Sequence, residues 1–358
     1  MIAFADVLNA LVHRPLAEEE ARGSFEAILA GGWTPAQVGA FAAALRMRAD
    51  HAETIAAGAR AMRGAMHVVE HGFDVVVDTC GTGGDGAHTL NLSTAAAIVV
   101  AACGVAVAKH GNRSVSSRCG SADVIEALGI PLVDPSRQSS VLRDARIAFL
   151  FAPAHHPALK HAAQARRELG VRTIFNALGP LANPARATHQ LVGVYDDELR
   201  PIAARALAQL GVTRAWVVRS EDGLDEVSPC GAETRVSEVS LGDGAAREVR
   251  ERIIRASDFG VKSVDRAALA GGGAEENARA IIAILEGEDH PAMRAVVLNA
   301  AAALAVVDER ASLVDCAERA RDAIASRRAR ETLEVWRASA RRHDDAAFAA
   351  RSSPEERT

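Results

Sequence analysis

The chain has 358 residues, of which 49% are apolar and 24% charged, and its formal net charge at pH 7 is −5. This is the composition of an ordinary soluble globular protein, and the length is sufficient for a full hydrophobic core and two domains. The mildly acidic total argues against nucleic acid or an anionic membrane surface as a partner.

The cysteines are few and scattered, without a CxxC pair or a Cys/His cluster at zinc spacing. This usage predicts a reduced, cytoplasmic protein. The chain begins without a basic region followed by an apolar stretch, so no signal peptide is expected. The longest apolar run, residues 95–107, is too short to span a bilayer, which predicts no membrane partner.

Residues up to about 66 carry only helical patterns. Apolar residues recur at helical spacing over 17–29 and 34–48, and a third helix is predicted over 52–63. Thr34 is expected to cap the second of these helices, with Pro35 at its first position and Gln37 completing a capping box. The sequence therefore predicts a small helical domain over residues 1–68.

From residue 73 onward, short β-type runs alternate with helical segments. The runs lie at 75–77, 105–108, 147–151, 191–194 and 215–218, and several of the intervening helices end in glycine. This alternation predicts an α/β domain with a mostly parallel sheet over residues 69–340. Helices are predicted at 275–285, 292–305 and 311–340, and residues 341–358 are predicted to form a polar, frayed tail.

A glycine-rich segment follows the first predicted strand, at residues 81–85. Glycines alone are typical of an ordinary strand-to-helix turn. Here, however, Asn91, Ser93 and Thr94 follow at the predicted start of the next helix. Free N–H groups and the positive end of the helix dipole meet at that point, so the segment predicts a phosphate cradle.

A second donor-rich segment follows the next strand. It combines Lys109, His110 and Asn112 with a run of serines that includes Ser117. A surface turn would tolerate the same composition, but α/β folds bind ligands at this edge of the sheet. Two cradles within about fifty residues predict a substrate with more than one phosphate.

Two pairs of adjacent charged residues each have a structural and a functional interpretation. Asp225 and Glu226 are adjacent carboxylates in a predicted loop, and such pairs are usually just solvated. In a site with several phosphates, however, they are candidate Mg²⁺ ligands. Arg166 and Arg167 lie on a predicted helix. An inward-facing arginine would hold a substrate carboxylate, but the local sequence does not decide which of the two faces inward.

Taken together, these segments resemble the anthranilate phosphoribosyltransferase family of tryptophan biosynthesis. The resemblance covers nearly the whole chain, to about residue 340. It is carried by GTGGD at 81–85, NLST at 91–94, KHGNRSVSSRCGSAD at 109–123, HP at 156–157, RRELGVRTIFNALGPLANP at 166–184, GLDE at 223–226, GGGAEENA at 271–278 and LNAAAAL at 298–304.

The resemblance implies a nucleoside phosphorylase/phosphoribosyltransferase type of fold. Such a fold has a small N-terminal helical domain and a larger α/β domain. In this chain, residues from about 170 to 190 are expected to belong to the helical domain as well. It also implies a homodimer through the helical domain. The implied substrates are 5-phosphoribosyl 1-pyrophosphate and anthranilate, with Mg²⁺ as cofactor, and the products are N-(5-phosphoribosyl)anthranilate and pyrophosphate.

The same resemblance assigns roles to individual residues. Those expected to contact 5-phosphoribosyl 1-pyrophosphate are Gly81, Thr82, Gly83, Gly84, Asp85, Thr89, Asn91, Ser93, Thr94, Lys109 and Ser117. Those expected along the anthranilate path are Gly81, His110, Asn112, His156 and Arg166, the last as carboxylate partner. The expected metal positions are Ser93, Asp225 and Glu226. No general base is assigned, because the amine of anthranilate is neutral at pH 7.

Two alternatives stay open on the sequence. A pyrimidine nucleoside phosphorylase would share the general architecture, although its second loop differs from KHGNRSVSS. A non-catalytic relative would bind nucleic acid through a basic groove, against which the net charge of −5 and the Asp225–Glu226 pair argue.

Overall fold

The N-terminal part of the computed structural model is a helical bundle. The model describes residues 2–48, 51–84, 86–114, 118–242 and 246–351, with side chains described as far as residue 344. The bundle helices are α1 (Phe4–His13), α2 (Glu18–Leu29), α3 (Pro35–Met47) and α4 (Ala52–Gly64). Thr34 caps α3 as predicted: its hydroxyl accepts from the Gln37 N–H, and the Gln37 side chain accepts from the Thr34 N–H.

The remainder is built on a sheet of seven strands among the described residues. These are β1 (Val76–Gly81), β2 (Ala106–Gly111), β3 (Ile147–Phe151), β4 (His189–Gly193), β5 (Arg214–Ser220), β6 (Thr234–Leu241) and β7 (Arg247–Ile254). Their order is β3-β2-β1-β4-β5-β6-β7. The first five are parallel, and β6 and β7 are antiparallel. The strand order reverses at β1, because β2 and β3 lie on one side of it and β4 and β5 on the other. Such a reversal places a ligand crevice at the carboxyl ends of these strands.

Helices cover both faces of the sheet. They are α5 (Leu92–Ala102), α6 (Ser121–Ala127), α7 (Gln138–Ala145), α8 (Ala152–His155), α9 (Lys160–Leu169), α10 (Ile174–Leu181), α11 (Leu199–Gln209), α12 (Ala274–Leu285), α13 (Met293–Val307), α14 (Leu313–Ala325) and α15 (Arg328–Arg351). None of the helices described is long and apolar enough to cross a membrane.

Two apolar cores cover the sheet, and at β4 and β5 they lie on its opposite faces. One is formed around α5 and α13, whose alanine- and valine-rich sequences are buried almost all round. The other joins the bundle to the sheet, and α10 belongs to it, since the Phe175 ring lies edge-on to Phe25 with centroids 5.9 Å apart. Through α10, the bundle reaches the strand ends where the two donor-rich loops begin.

The structure differs from the sequence prediction in the C-terminal half. The hairpin β6–β7 was not predicted, because five of the first six residues of its outer strand are arginine or glutamate and the strand therefore resembles a polar segment. Such charges are usual on the exposed edge of a sheet. The predicted helix 311–340 is broken into α14 and α15 at Arg327, which adopts a left-handed conformation with φ of 64°.

The boundary predicted for the polar tail also differs. α15 continues to Arg351, because residues 341–351 are rich in alanine and arginine, which favour helices. His343 Nε2 lies 3.1 Å from an Asp144 carboxylate oxygen, so the start of the predicted tail packs against α7. Residues 352–358 lie outside the described residues.

Candidate active site

Lys109 connects the two donor-rich loops. It lies on β2 and its side chain is buried, with 1% exposure. Nζ donates to the Thr79 carbonyl of β1 and to Ser93 Oγ, 3.1 Å away at the start of α5. Burial lowers the pKa of Lys109, and the negative charges of Asp78, Glu226 and Asp225 oppose that shift. The Lys109 amino group is thereby held between a hydroxyl and a carbonyl group at the crevice.

The glycine loop after β1 is braced against the end of β4. The Thr82 N–H donates to the Gly193 carbonyl at 2.9 Å, and Thr82 Oγ1 accepts from the Tyr195 N–H at 3.0 Å. Gly84 has φ of +79°, a conformation that favours glycine. Its carbonyl accepts from the Arg172 guanidinium, which lies 4.4 Å from the centroid of the Tyr195 ring.

The far end of the loop is held at the N-terminus of α5. Asn91 precedes this helix, and its Oδ1 accepts from Asn277 Nδ2 at 2.9 Å. Thr89 forms a β-bridge with Ala270. The Thr94 hydroxyl oxygen is buried, without a hydrogen-bond partner among the described residues. The segment at 270–277 thus fixes the position of the N-terminus of α5.

The acidic pair enters the same crevice from β5. Asp225 and Glu226 line a cavity together with Thr79, Ser93 and Gly193. A Cβ atom at Gly193 would lie 1.6 Å from the Asp225 carbonyl oxygen, so the acidic loop passes directly over the end of β4 and requires glycine there.

Two buried side chains fix the backbone of this acidic loop. Ser220 Oγ donates to the Glu226 carbonyl at 2.6 Å. On the other side, Asn299 of α13 both accepts from the Val227 N–H and donates to the Val227 carbonyl. The backbone that carries the acidic pair is therefore fixed where the pair and Ser93 line one cavity.

The donors at this position fit a magnesium ion that completes its shell with substrate oxygens. Two acidic residues and Ser93 line one cavity. Within the described ranges, no group of three or more His, Cys, Asp or Glu residues could hold a metal by itself. Magnesium is commonly held by one or two carboxylates together with phosphate and water oxygens.

Arg166, on the other side of the crevice, faces inward. Its side chain is partly buried, whereas Arg167 is exposed, which settles the choice that the sequence left open. The Arg166 guanidinium lies 5.8 Å from the centroid of the Phe175 ring, and burial lowers its pKa. No carboxylate among the described residues forms an ion pair with it.

Two buried histidines lie between Arg166 and Lys109 along the chain and share one cluster. The rings of His110 and His156 have centroids 5.1 Å apart, and Nε2 of each is buried without a described partner. His110 Nδ1 is 3.1 Å from the Gly179 carbonyl. Burial lowers the pKa of His110 well below its usual value and that of His156 to about 4, so both rings are neutral at pH 7.

Two family models match the chain. The α/β domain of a glycosyl transferase family matches residues 74–330, and the helical bundle domain of that family matches residues 6–66. Anthranilate phosphoribosyltransferase of Myxococcus xanthus is 50% identical over 323 residues, which is 90% of this chain and 94% of that protein. The chain belongs to the anthranilate phosphoribosyltransferase family.

Solved structures of anthranilate phosphoribosyltransferases have the same fold. The Thermus thermophilus enzyme superposes with a TM-score of 0.86 at 40% identity, covering 94% of this chain and 99% of that one. The Saccharomyces cerevisiae enzyme in complex with PRPP and Mg superposes with a TM-score of 0.85 at 29% identity, covering 94% and 98%. The predicted fold class, enzyme class and phosphoribosyl transfer in tryptophan biosynthesis are confirmed. The nucleoside phosphorylase and nucleic-acid-binding alternatives are set aside.

Some residues that the resemblance to anthranilate phosphoribosyltransferases assigned to the site are not brought into it by contacts. Asn112 is exposed, and its Oδ1 accepts from the neighbouring Arg113 N–H at 2.7 Å. Gly83 is exposed on the glycine loop. Gly81 is exposed as well, but it pairs with Gly193 and lies beside the acidic pair, since a Cβ atom there would be 2.9 Å from Asp225 Oδ2. Asp85 and Ser117 lie outside the described residues.

Sequence reasoning missed the polar residues beneath the site. Asp78 is fully buried, and its carboxylate accepts from Asn183 Nδ2 at 2.8 Å and from the His110 N–H at 3.1 Å. Gln190 is fully buried on β4. The available signal was a polar residue inside an apolar strand, which must find partners in the folded protein. Arg172 lies within the family motif at 166–184, but no role was predicted for it.

Lowering the pH should reduce the free energy of unfolding of this anthranilate phosphoribosyltransferase before its carboxylates titrate. The pKa values of His156 and His189 are lowered by burial to about 4, against about 6.5 in the unfolded chain. Between these values the unfolded state binds more protons, so the free energy of unfolding falls as the pH decreases. The slope is up to about 1.4 kcal/mol per pH unit for each histidine. Urea unfolding at about pH 7 and about pH 5 measures it. His189→Gln should flatten the dependence, and equal stability at both pH values would contradict the assignment.

Proposed function

We propose that the two donor-rich loops bind the diphosphate and ribose phosphate of 5-phosphoribosyl 1-pyrophosphate. The observation that carries this proposal is the meeting of Lys109, Ser93 and the acidic pair at one crevice formed by β1, β2, β4 and β5. A buried cation, hydroxyl donors and a helix N-terminus are the groups that recognise phosphate oxygens. Gly81, Thr82, Gly83, Gly84, Thr89, Asn91 and Thr94 complete the proposed cradle, and Asp85 and Ser117 are assigned to it by resemblance alone.

Ser93, Asp225 and Glu226 would hold Mg²⁺ together with the diphosphate. Bound there, the ion would neutralise charge on the departing pyrophosphate. The use of two carboxylates and one hydroxyl leaves the remaining positions for substrate and water, which couples binding of the ion to binding of the sugar diphosphate.

Cleavage of the bond between ribose C1 and pyrophosphate is the main barrier, because it creates an oxocarbenium-like centre and a polyanion. Lys109, whose amino group is held by Thr79 and Ser93, is preorganised to stabilise that polyanion. The attacking amine of anthranilate is neutral at pH 7, so no residue is needed to deprotonate it first. The proton lost after attack passes to water or to pyrophosphate. Holding the two substrates in line supplies the rest of the acceleration.

Anthranilate would enter on the side of Arg166, His110 and His156. Arg166 offers a partly buried guanidinium for a carboxylate, and the neutral histidine rings offer flat surfaces for an aromatic ring. Gly81 and Asn112 are assigned to this path by resemblance. A carboxylate bound at Arg166 would find no competing ion pair among the described residues.

Arg166→Ala should raise the KM for anthranilate roughly 10- to 100-fold, since hydrogen bonds to a charged group contribute about 1.5–3 kcal/mol. The KM for 5-phosphoribosyl 1-pyrophosphate should change much less. The loss of anthranilate fluorescence measures both constants. Arg167→Ala is the matched control, because the neighbouring side chain is exposed and should tolerate truncation. Equal effects of Arg166→Ala on both substrates would refute its role.

We further propose that the enzyme is a cytoplasmic homodimer through its helical bundle. The exposed apolar side chains Val12 and Met47 support the interface, because the Arg48 guanidinium donates to the Val12 carbonyl and so brings the ends of α1 and α3 together. All five cysteines are free thiols, which suits a reducing compartment.

A further inference from the structure

The last turn of α10 depends on donors from outside the helix. The carbonyl groups in the last turn of a helix have no partner within it. In α10 the ladder is further weakened by Pro180, which lies inside the helix and has no N–H to donate. The Gly179 carbonyl accepts from the Ala182 N–H at 3.1 Å, so the Pro180 carbonyl is the one that most needs a partner from outside the helix.

Side chains of the sheet supply these partners. His110 of β2 lies 3.1 Å from the Gly179 carbonyl through Nδ1, and Gln190 of β4 donates from Nε2 to the Pro180 carbonyl at 2.9 Å. A longer contact of 3.9 Å from Cys80 Sγ also reaches the Pro180 carbonyl. Three neighbouring strands thus hold the end of one helix.

The Gln190 side chain contributes one hydrogen bond among the described residues, the one to the Pro180 carbonyl. It is fully buried, and its Oε1 has no hydrogen-bond partner among the described residues. Its register partner on β1 is Asp78, whose carboxylate is bound by Asn183, a residue just beyond α10. A buried amide with an orphaned oxygen has a cost for folding, so the donor end is the part that the structure uses.

α10 contacts both Arg166 and His110, the two residues proposed to bind anthranilate. Phe175, near its start, lies against the Arg166 guanidinium. The Gly179 carbonyl, near its end, accepts from His110 Nδ1–H, which leaves the buried Nε2 of His110 as a hydrogen-bond acceptor. A shift of α10 relative to the sheet would therefore move Arg166 and His110 together.

We propose that Gln190 is a positioning residue for the aromatic acceptor: by holding the Pro180 carbonyl, it sets the register of α10 on the sheet and hence the placement of Arg166 and His110. This inference rests on the proposed function, in which those two residues bind anthranilate. Gln190 lies on the sheet and contacts α10. The diphosphate cradle is held by separate contacts to Gly193, Asn277 and Ser93.

The test compares Gln190→Met, which removes the donor at similar size, with Gln190→Glu. A buried carboxyl beside Asp78 stays protonated and can still donate to the Pro180 carbonyl. We expect Gln190→Met to raise the KM for anthranilate about 10-fold, the effect of one lost hydrogen bond, and to leave the KM for 5-phosphoribosyl 1-pyrophosphate within about twofold. Gln190→Glu should restore the KM for anthranilate to within about threefold.

Gln138→Met is the matched control. Gln138 is also a buried glutamine whose Nε2 donates to a backbone carbonyl at 2.9 Å, that of Val133, but it lies on α7 away from the site. It should lower thermal stability without changing either KM. If Gln190→Met does not fold, Gln190→Glu is measured alone from about pH 6 to about pH 9: the KM for anthranilate should rise as the introduced carboxyl group ionises.

Two results would overturn the proposal: an unchanged KM for anthranilate in Gln190→Met, or equal increases for both substrates. For Gln190→Glu alone, a KM for anthranilate that does not depend on pH would overturn it. Failure of the proposed function has a different signature, because Arg166→Ala would then also leave the KM for anthranilate unchanged. An effect of Arg166→Ala without one of Gln190→Met would refute the role of Gln190 only.

Discussion

Lys109→Met should lower kcat/KM for 5-phosphoribosyl 1-pyrophosphate by about 100- to 1000-fold, the effect expected for one preorganised donor to a developing anion. The side chain is buried at the point where β1, β2 and α5 meet, and it donates to Thr79 and Ser93. Methionine fills nearly the same volume, so the change removes the cation and leaves the packing. Steady-state assays with varied 5-phosphoribosyl 1-pyrophosphate measure the loss.

Lys262→Met is the control for this variant. Lys262 is exposed, so the same substitution there should leave the kinetics unchanged. Circular dichroism and the melting temperature confirm that the Lys109 variant is folded. A folded Lys109→Met enzyme with activity within about twofold of the parent would remove Lys109 from the site, because no electrostatic contribution of the expected size would be left.

The sequence predicted this meeting point because it depends on local patterns and one general rule. Adjacent parallel strands end at the same edge of a sheet, so loops that follow β1 and β2 must lie side by side. The helix beginning near Asn91 and the left-handed glycines at helix ends were also readable locally, and Gly104, Gly129, Gly170 and Gly211 all have positive φ.

The remaining features of the site depend on long-range packing that a single sequence does not encode in any one segment. The approach of Asp225 to Gly193 requires β4 and β5 to be neighbours, and the 1.6 Å distance to a hypothetical Cβ is visible only once they are. The choice between Arg166 and Arg167 depends on which face of α9 meets Phe175. A pattern of apolar residues gives the face of a helix but not its neighbour.

Polar residues inside strands were the signal that sequence reasoning passed over. Asp78 and Gln190 lie at register positions on β1 and β4, each within an apolar run. A buried polar group must be hydrogen-bonded, so each one indicates a partner element above the sheet. In this fold that element is the segment from α10 to Asn183, which the two residues attach to the sheet.

Asp225→Asn combined with Glu226→Gln should lower kcat/KM by about 100-fold or more and raise the Mg²⁺ concentration needed for half-maximal rate, because amides bind the ion less well than carboxylates. The amides keep the size of the side chains, and the loop backbone is held independently by Ser220 and Asn299. The altered enzyme should therefore fold normally. Rates measured over a range of Mg²⁺ concentrations distinguish a loss of metal affinity from a loss of turnover.

Glu18→Gln with Glu19→Gln is the matched control, since these two carboxylates are also adjacent but lie on the exposed face of α2. Ion pairs of such exposed groups contribute little, so the control should keep both the rate and the Mg²⁺ dependence of the parent. Asp225 and Glu226, by contrast, line the cavity that Ser93 and Thr79 also line. Identical Mg²⁺ titrations for the parent and the Asp225/Glu226 variant would show that the ion is held elsewhere, and the diphosphate would then have to be bound without this acidic loop.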